Sequence, residues 1–154
     1  MISHKFVFLT ACLCTLCVFL NEASAQDLRI RKKLIETSGL LNTIRLRQNL
    51  EAMEQQPFDG VVFDDDGFST KDRKSLSLRP AFINEKWPRE WFQNCVDDLK
   101  ACKFKRFTDN FVQIGANPGN VDWFDDAGWA TIAEHWRIAA WIAKAGGLKG
   151  VLFD

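Results

Sequence analysis

Two nearly identical pentapeptides, Gly60-Val61-Val62-Phe63-Asp64 and Gly150-Val151-Leu152-Phe153-Asp154, constrain this chain more than any other feature. Each opens on glycine, runs through apolar residues and closes on a carboxylate, as a buried strand does. Side chains alternate along a strand. Gly60, Val62 and Asp64 therefore share one face, and Val61 and Phe63 the other; Gly150, Leu152 and Asp154 repeat the arrangement. If the phenylalanines pack beneath helices, both aspartates project from the opposite face, at the carboxyl ends of their strands.

The segments around the repeat alternate in type. Arg31 to Glu36 reads as a first strand, turning at Thr37-Ser38-Gly39. Asn42 is placed to cap a helix carrying Leu46, Leu50 and Met53, which must end before Pro57. After GVVFD comes a polar stretch, DDDGFSTKDRKSLSLRP, without a convincing period. Pro88 then opens an amphipathic helix bearing Trp91, Phe92, Cys95, Val96, Leu99 and Cys102. Phe104 to Ile114 reads as a third strand and GANPGN as a loop. The last helix carries Trp129, Ile132, Ala133, Trp136, Ala139, Ala140 and Ala143 as its stripe, with Lys144 in its final turn and Gly146-Gly147 closing it.

The order β-α-β-α-β-α-β demands parallel strands joined by right-handed crossovers. An open doubly wound sheet and half of a barrel both satisfy it. A dinucleotide-binding sheet would carry G-x-G-x-x-G after its first strand; only Thr37-Ser38-Gly39 stands there, and no phosphate-binding loop motif occurs elsewhere. In barrels alternate strands feed the same interior layer, which explains the likeness of strands two and four. The expected fold is α/β, the first half of a (β/α)8 TIM-type barrel truncated after strand 4. A full barrel takes about 250 residues, so a chain of this length is expected to be inactive on glycosides by itself. Its open strand edges are expected to favour self-association.

The first 25 residues read as an address. Lys5 supplies a basic start, Phe6 to Leu20 an apolar run, and Ala23-Ser24-Ala25 a small-x-small cleavage site, the layout of a secretory signal peptide. The run is shorter than the roughly 20 residues that span a bilayer. Export to the periplasm or the extracellular space is expected, with no membrane association after cleavage. The domain then covers residues 26–154. Cys95 and Cys102, seven apart on one helix, would lie roughly 10 Å from each other, beyond disulfide reach, and read as buried thiols. Twenty basic and twenty acidic residues cancel, and no basic stripe argues for nucleic acid.

RKKLIE, MEQQPFDGVVF, FKRFTDNF, PGNVDWFDD and GGLKGVLFD together resemble a group of exported, largely uncharacterised bacterial proteins with a glycoside-hydrolase-like (β/α)8 domain. The resemblance covers most of Lys32 to Asp154 and departs after Glu36, where Thr37 to Asn42 is a shorter and more apolar link. It implies a carbohydrate substrate and no cofactor, and it assigns no catalytic residues.

Carboxylates at expected strand ends are the candidates for chemistry. Glycoside hydrolysis needs two, about 5 to 9.5 Å apart. Asp64 and Asp154 have matching orientation, with Glu36 and Asp109 near other strand ends. Asp109 and Asn110 cannot both face inward; Asn110 is a candidate substrate ligand, as are Trp87 and Trp123, which could stack on sugar rings. The bland alternative is that these aspartates merely cap loops. Asp64-Asp65-Asp66-Gly67 fails the calcium-loop spacing, since Val62 and Arg73 would occupy its first and last ligand positions. His135 stands alone, off the apolar stripe of its helix, and no metal site is expected. Two readings follow: a hydrolase with paired carboxylates, or a non-catalytic carbohydrate-binding or structural barrel.

Overall fold

A computed structural model describes residues 33–37 and 41–154. Residues 1–32 and 38–40, on which the expected signal segment, the start of the expected first strand and the expected turn at Ser38 and Gly39 fall, lie outside the described residues. Four strands, β1 (Ile35–Thr37), β2 (Gly60–Phe63), β5 (Phe111–Ile114) and β6 (Gly150–Phe153), form one parallel sheet in the order β1-β2-β5-β6. Between β2 and β5 the chain makes an antiparallel hairpin, β3 (Asp66–Ser69) and β4 (Lys74–Ser77). Among the described residues three α-helices, α1 (Thr43–Met53), α2 (Gln93–Ala101) and α3 (Asp126–Ala145), lie in the connections, and a 3-10 turn at Arg89–Phe92 leads into α2.

Each helix has a sequence reason to start where it does. Asn42 accepts a hydrogen bond from the Arg45 amide at 2.9 Å, as its cap position predicts. Leu41 and Leu46 flank that cap, both buried, in the pattern of a hydrophobic staple. Asp125 caps α3 by accepting from the Ala127 amide. At its far end Gly147 takes a φ of +74°, a left-handed conformation suited to glycine.

Register fixes the two faces of the sheet. Val62 pairs with Phe111, and Val112 and Ile114 pair with Val151 and Phe153. Val61, Phe63, Val112 and Ile114 enter one core with Leu46, Leu50, Val96, Leu99, Ile138 and Ile142 of the three helices. The other face carries Val62, Phe111, Gln113 and Leu152, and beyond them Asp64 and Asp154. Full burial of a side chain such as Phe63 contributes about 3 kcal/mol, so the helix-facing layer dominates the stability.

Three features differ from the sequence expectation. The third strand is four residues long, because the amides of Lys105, Arg106 and Phe107 are not available to a ladder: all three donate to Oε1 of Glu54, at 2.8, 2.8 and 3.0 Å. The polar stretch after Asp64 is ordered as the β3–β4 hairpin. Its inward positions, Gly67, Ser69, Leu76 and Leu78, are buried, and a Cβ on Gly67 would come within 2.7 Å of the Phe92 ring. The buried face of α3 is Gly128, Ile132, His135, Ile138, Ala139, Ile142 and Ala143, rotated from the expected stripe. Ala140 is exposed and His135 wholly buried.

Candidate functional site

The carboxyl ends of β2, β5 and β6 bring together the most chemically capable cluster. Asp64 follows β2, Asp154 follows β6, and Gln113 lies in β5 between them. A single guanidinium, that of Arg79, meets both carboxylates: Nη1 is 3.4 Å from Oδ2 of Asp64 and Nη2 is 3.7 Å from Oδ2 of Asp154. Gln113 donates its amide hydrogen to the same Asp154 oxygen at 2.9 Å. Both carboxylates thus lie on one face of one sheet.

Arg79 reaches this position through the hairpin. After β4, the Leu78 amide donates to the Asp65 carbonyl at 2.9 Å. The next residues then attach to the end of β5. The Gly115 amide donates to the Arg79 carbonyl at 2.6 Å, and the Ala81 amide donates to the Gly115 carbonyl at 2.9 Å. This short parallel bridge aims the guanidinium across the rim.

Burial pushes the Asp64 carboxyl above the usual carboxylate range; the Arg79 charge opposes the shift without cancelling it. Asp65, one residue on, points the other way and does structural work. Its carboxylate accepts from the Thr43 amide at 2.9 Å, satisfying a free N–H in the first turn of α1, and from the Asp66 amide at 2.8 Å. The three consecutive aspartates are therefore divided among a rim position, a helix anchor and an exposed strand position.

Other candidates fall elsewhere. Glu36 pairs in register with Val61, so it occupies the helix-facing side of β1, away from Asp64 and Asp154. Asn110 is 4% exposed and sits at the amino end of β5. Its side chain accepts from the Val61 amide and donates to the Phe107 carbonyl, so it fastens backbone instead of facing a ligand. Asp109 lies at the same amino end, 3.0 Å from Lys33, its carboxyl held below the usual range by hydrogen bonds from Thr108 and Lys33. Trp87 is 4% exposed and stacks on His135, so it offers no free platform.

Trp123 alone among the three non-acidic candidates stands open, 75% exposed beside a 96% exposed Phe124. It borders an apolar cleft of about 530 Å³ with Phe82, Val121, Trp129, Ile132 and Phe153. Phe153 pairs in register with Ile114, a helix-side core residue, so the cleft lies on the helix-facing side of the sheet, opposite the face that carries Asp64 and Asp154. Phe82 bridges the cleft walls, edge-on to Trp129 at 5.9 Å and tilted against Phe153 at 5.7 Å.

Sequence reasoning missed Arg79 and Gln113. Gln113 carried a signal, being the one polar residue in the otherwise apolar strand FVQI. Arg79 carried none, because its position depends on the hairpin return. Cys95 and Cys102 are buried free thiols, and burial pushes both above the ordinary thiol range. Among the described residues no group of three or more acidic, histidine or cysteine side chains is arranged to hold a metal ion. None of the described helices is long and apolar enough to cross a membrane. Comparison of the chain with family models, curated proteins and solved structures returns no match.

Proposed function

We propose that this chain is a carbohydrate-active domain whose rim carboxylates, Asp64 and Asp154, act as the acid and base of glycoside hydrolysis. The observation that carries the reading is the shared guanidinium of Arg79, in contact with both carboxylates. Two oxygens within salt-bridge reach of one planar group are separated by no more than about 9.5 Å, the upper end of the range glycosidases use. Asp64, the more buried, has the raised affinity for a proton that a general acid needs. Asp154, held by Gln113 and Arg79, is the partner for nucleophilic or base duty. Arg79 would release or share these contacts as substrate enters.

The fold expectation supports the same reading as a proposal. Strand order follows chain order, every pairing in the main sheet is parallel, and the helix core lies on one face. Those are the properties of the opening half of a (β/α)8 arrangement, whose active sites sit at the carboxyl ends of the strands. We also propose export to the periplasm or the extracellular space, on the pattern of residues 1–25. N-terminal sequencing of secreted material should begin at Gln26, and an intact Met1 would overturn it.

The test of activity is a screen against aryl glycosides and polysaccharides of the chain alone and of the chain joined to a complementary (β/α)4 half-barrel, which is where turnover is expected, with retention on immobilised polysaccharide measured in parallel. Turnover that falls at least a hundredfold in Asp64→Asn and Asp154→Asn supports the hydrolase. Retention without turnover selects the alternative, a carbohydrate-binding domain, which the ion-paired state of both carboxylates favours. Neither retention nor turnover overturns both.

A further inference from the structure

A second cavity, of about 480 Å³, lies along the first half of α3. Its lining includes Trp87, His135, Ala130 and Thr131, with Lys86 and Glu134. This volume is in the range of small-molecule pockets, about 300–1,000 Å³. Because α3 packs on the helix-facing side of the sheet, the cavity is separate from the face that carries Asp64 and Asp154.

Two of its lining side chains are left incomplete by the protein. The Trp87 and His135 rings stack with centroids 4.1 Å apart and planes 20° from parallel, 4% and 0% exposed. Nδ1 of His135 is 2.8 Å from the Ala81 carbonyl oxygen. A carbonyl only accepts, so this contact assigns the hydrogen to Nδ1 and leaves a lone pair on Nε2. Trp87 Nε1 is a donor. Neither Nε1 of Trp87 nor Nε2 of His135 has a hydrogen-bond partner within the protein, and they are the only buried side-chain nitrogens or oxygens among the described residues of which this is true. More than about 90% of buried polar groups in folded proteins are paired.

One unmet donor and one unmet acceptor on adjacent stacked rings define a chemical complement. Hydroxyl groups supply both kinds of partner, an oxygen to accept from the indole and a hydrogen to donate to the imidazole. The surroundings discriminate against an ion: Lys86 and Glu134 carry opposite charges, and the remaining wall is alanine, threonine and aromatic ring. We propose that this cavity binds a small neutral hydroxylated molecule, such as a monosaccharide or polyol, through Trp87 and His135. The assignment is independent of whether the rim hydrolyses anything.

The experiment is a titration of the isotope-labelled full chain with D-glucose and, separately, with glycerol. The Trp87 indole N–H and the His135 ring resonances are followed by NMR, with Trp87→Phe used for assignment. A saturable shift of both groups by at least one probe is expected. Ala130→Phe, at an exposed helix position, should fill the cavity and weaken binding at least about tenfold, which is about 1.4 kcal/mol. His135→Phe, which keeps the ring but removes the acceptor, should abolish the shift; Asp64→Asn should leave it intact. No saturable shift with either probe would overturn the proposal and leave water as the partner of both nitrogens. Binding that survives Ala130→Phe in a folded protein, or that is lost in Asp64→Asn, would overturn it by moving the ligand to the rim.

Discussion

A Cβ placed on Gly60 would stand 1.9 Å from the carbonyl oxygen of Asp109. Gly150, its counterpart in the repeat, has nothing within 4 Å of the same position. The two glycines therefore answer to different pressures. Gly60→Ala should destabilise the fold by several kcal/mol, since the obstacle is backbone that cannot swing away. Gly150→Ala should change stability little, or raise it by about 0.4–1 kcal/mol through the unfolded chain. Chemical denaturation of both variants measures the contrast; equal effects would refute the steric account.

Glu54 fastens the loop before β5 by accepting three consecutive amides. Burial alone would raise its carboxyl, but hydrogen bonds from Phe107, Arg106 and Lys105, aided by the Lys105 charge, outweigh it and hold the group below the usual range. Glu54→Ala leaves those amides unserved and should cost about 3 kcal/mol. Glu54→Gln, which keeps an acceptor oxygen, should cost less. The native pKa is depressed, so this stability is present above the unfolded value of about 4.3. It drains away as pH falls through the native one. Melts between neutral and acid pH should show Glu54→Gln with a flatter acid limb than the parent.

Asp64 has the opposite sign. Its raised native pKa means the folded protein holds the proton more tightly than the unfolded chain does. The stability gained is present below the ordinary carboxylate range and is lost as pH rises through the raised value. At neutral pH, Asp64→Asn should be near neutral or slightly stabilising, within about 1 kcal/mol. Arg79→Met should raise the Asp64 carboxyl further, because the guanidinium is what opposes desolvation. Carbonyl-carbon NMR across the acid range reads the shift directly, and an unchanged or lowered midpoint would contradict it.

The outer strands β1 and β6 each pair on one side only among the described residues. Phe153 is 48% exposed at the β6 edge. Concentration-dependent self-association is expected, read by light scattering. Leu152→Lys, which places a charge on the rim-bearing face beside that edge, should suppress it.

The sheet was legible because its residues obey one rule at a time. GVVFD and GVLFD each show a short apolar period, and parity along the strand was enough to align Asp64 with Asp154. The hairpin was hidden because two of its inward positions are Gly67 and Ser69, which bury no apolar bulk and so leave no hydrophobic alternation. Residues 104–110 misled in the reverse direction: their weak alternation suggested a strand, while the Glu54 carboxylate, about fifty residues earlier, had claimed the amides a strand would need. His135 was misplaced because Ile138 and Ile142, rather than Trp136 and Ala140, define the inner face of α3. Non-local polar partners decided each of these, and hydrophobic periodicity carries no record of them.

The hairpin that delivers Arg79 stands outside the strand–helix alternation that builds the sheet. The charge between Asp64 and Asp154 is thus supplied by an accessory, while the carboxylates belong to the framework. Replacing the tip of β3–β4 would leave the strand register untouched, whereas changing its return segment would alter what lies between the acids. A return segment of the present length keeps the acids paired through Arg79; a shorter return would leave them exposed to one another and to solvent. The pairing of the two acids is thereby governed by an element that contributes no strand to the main sheet.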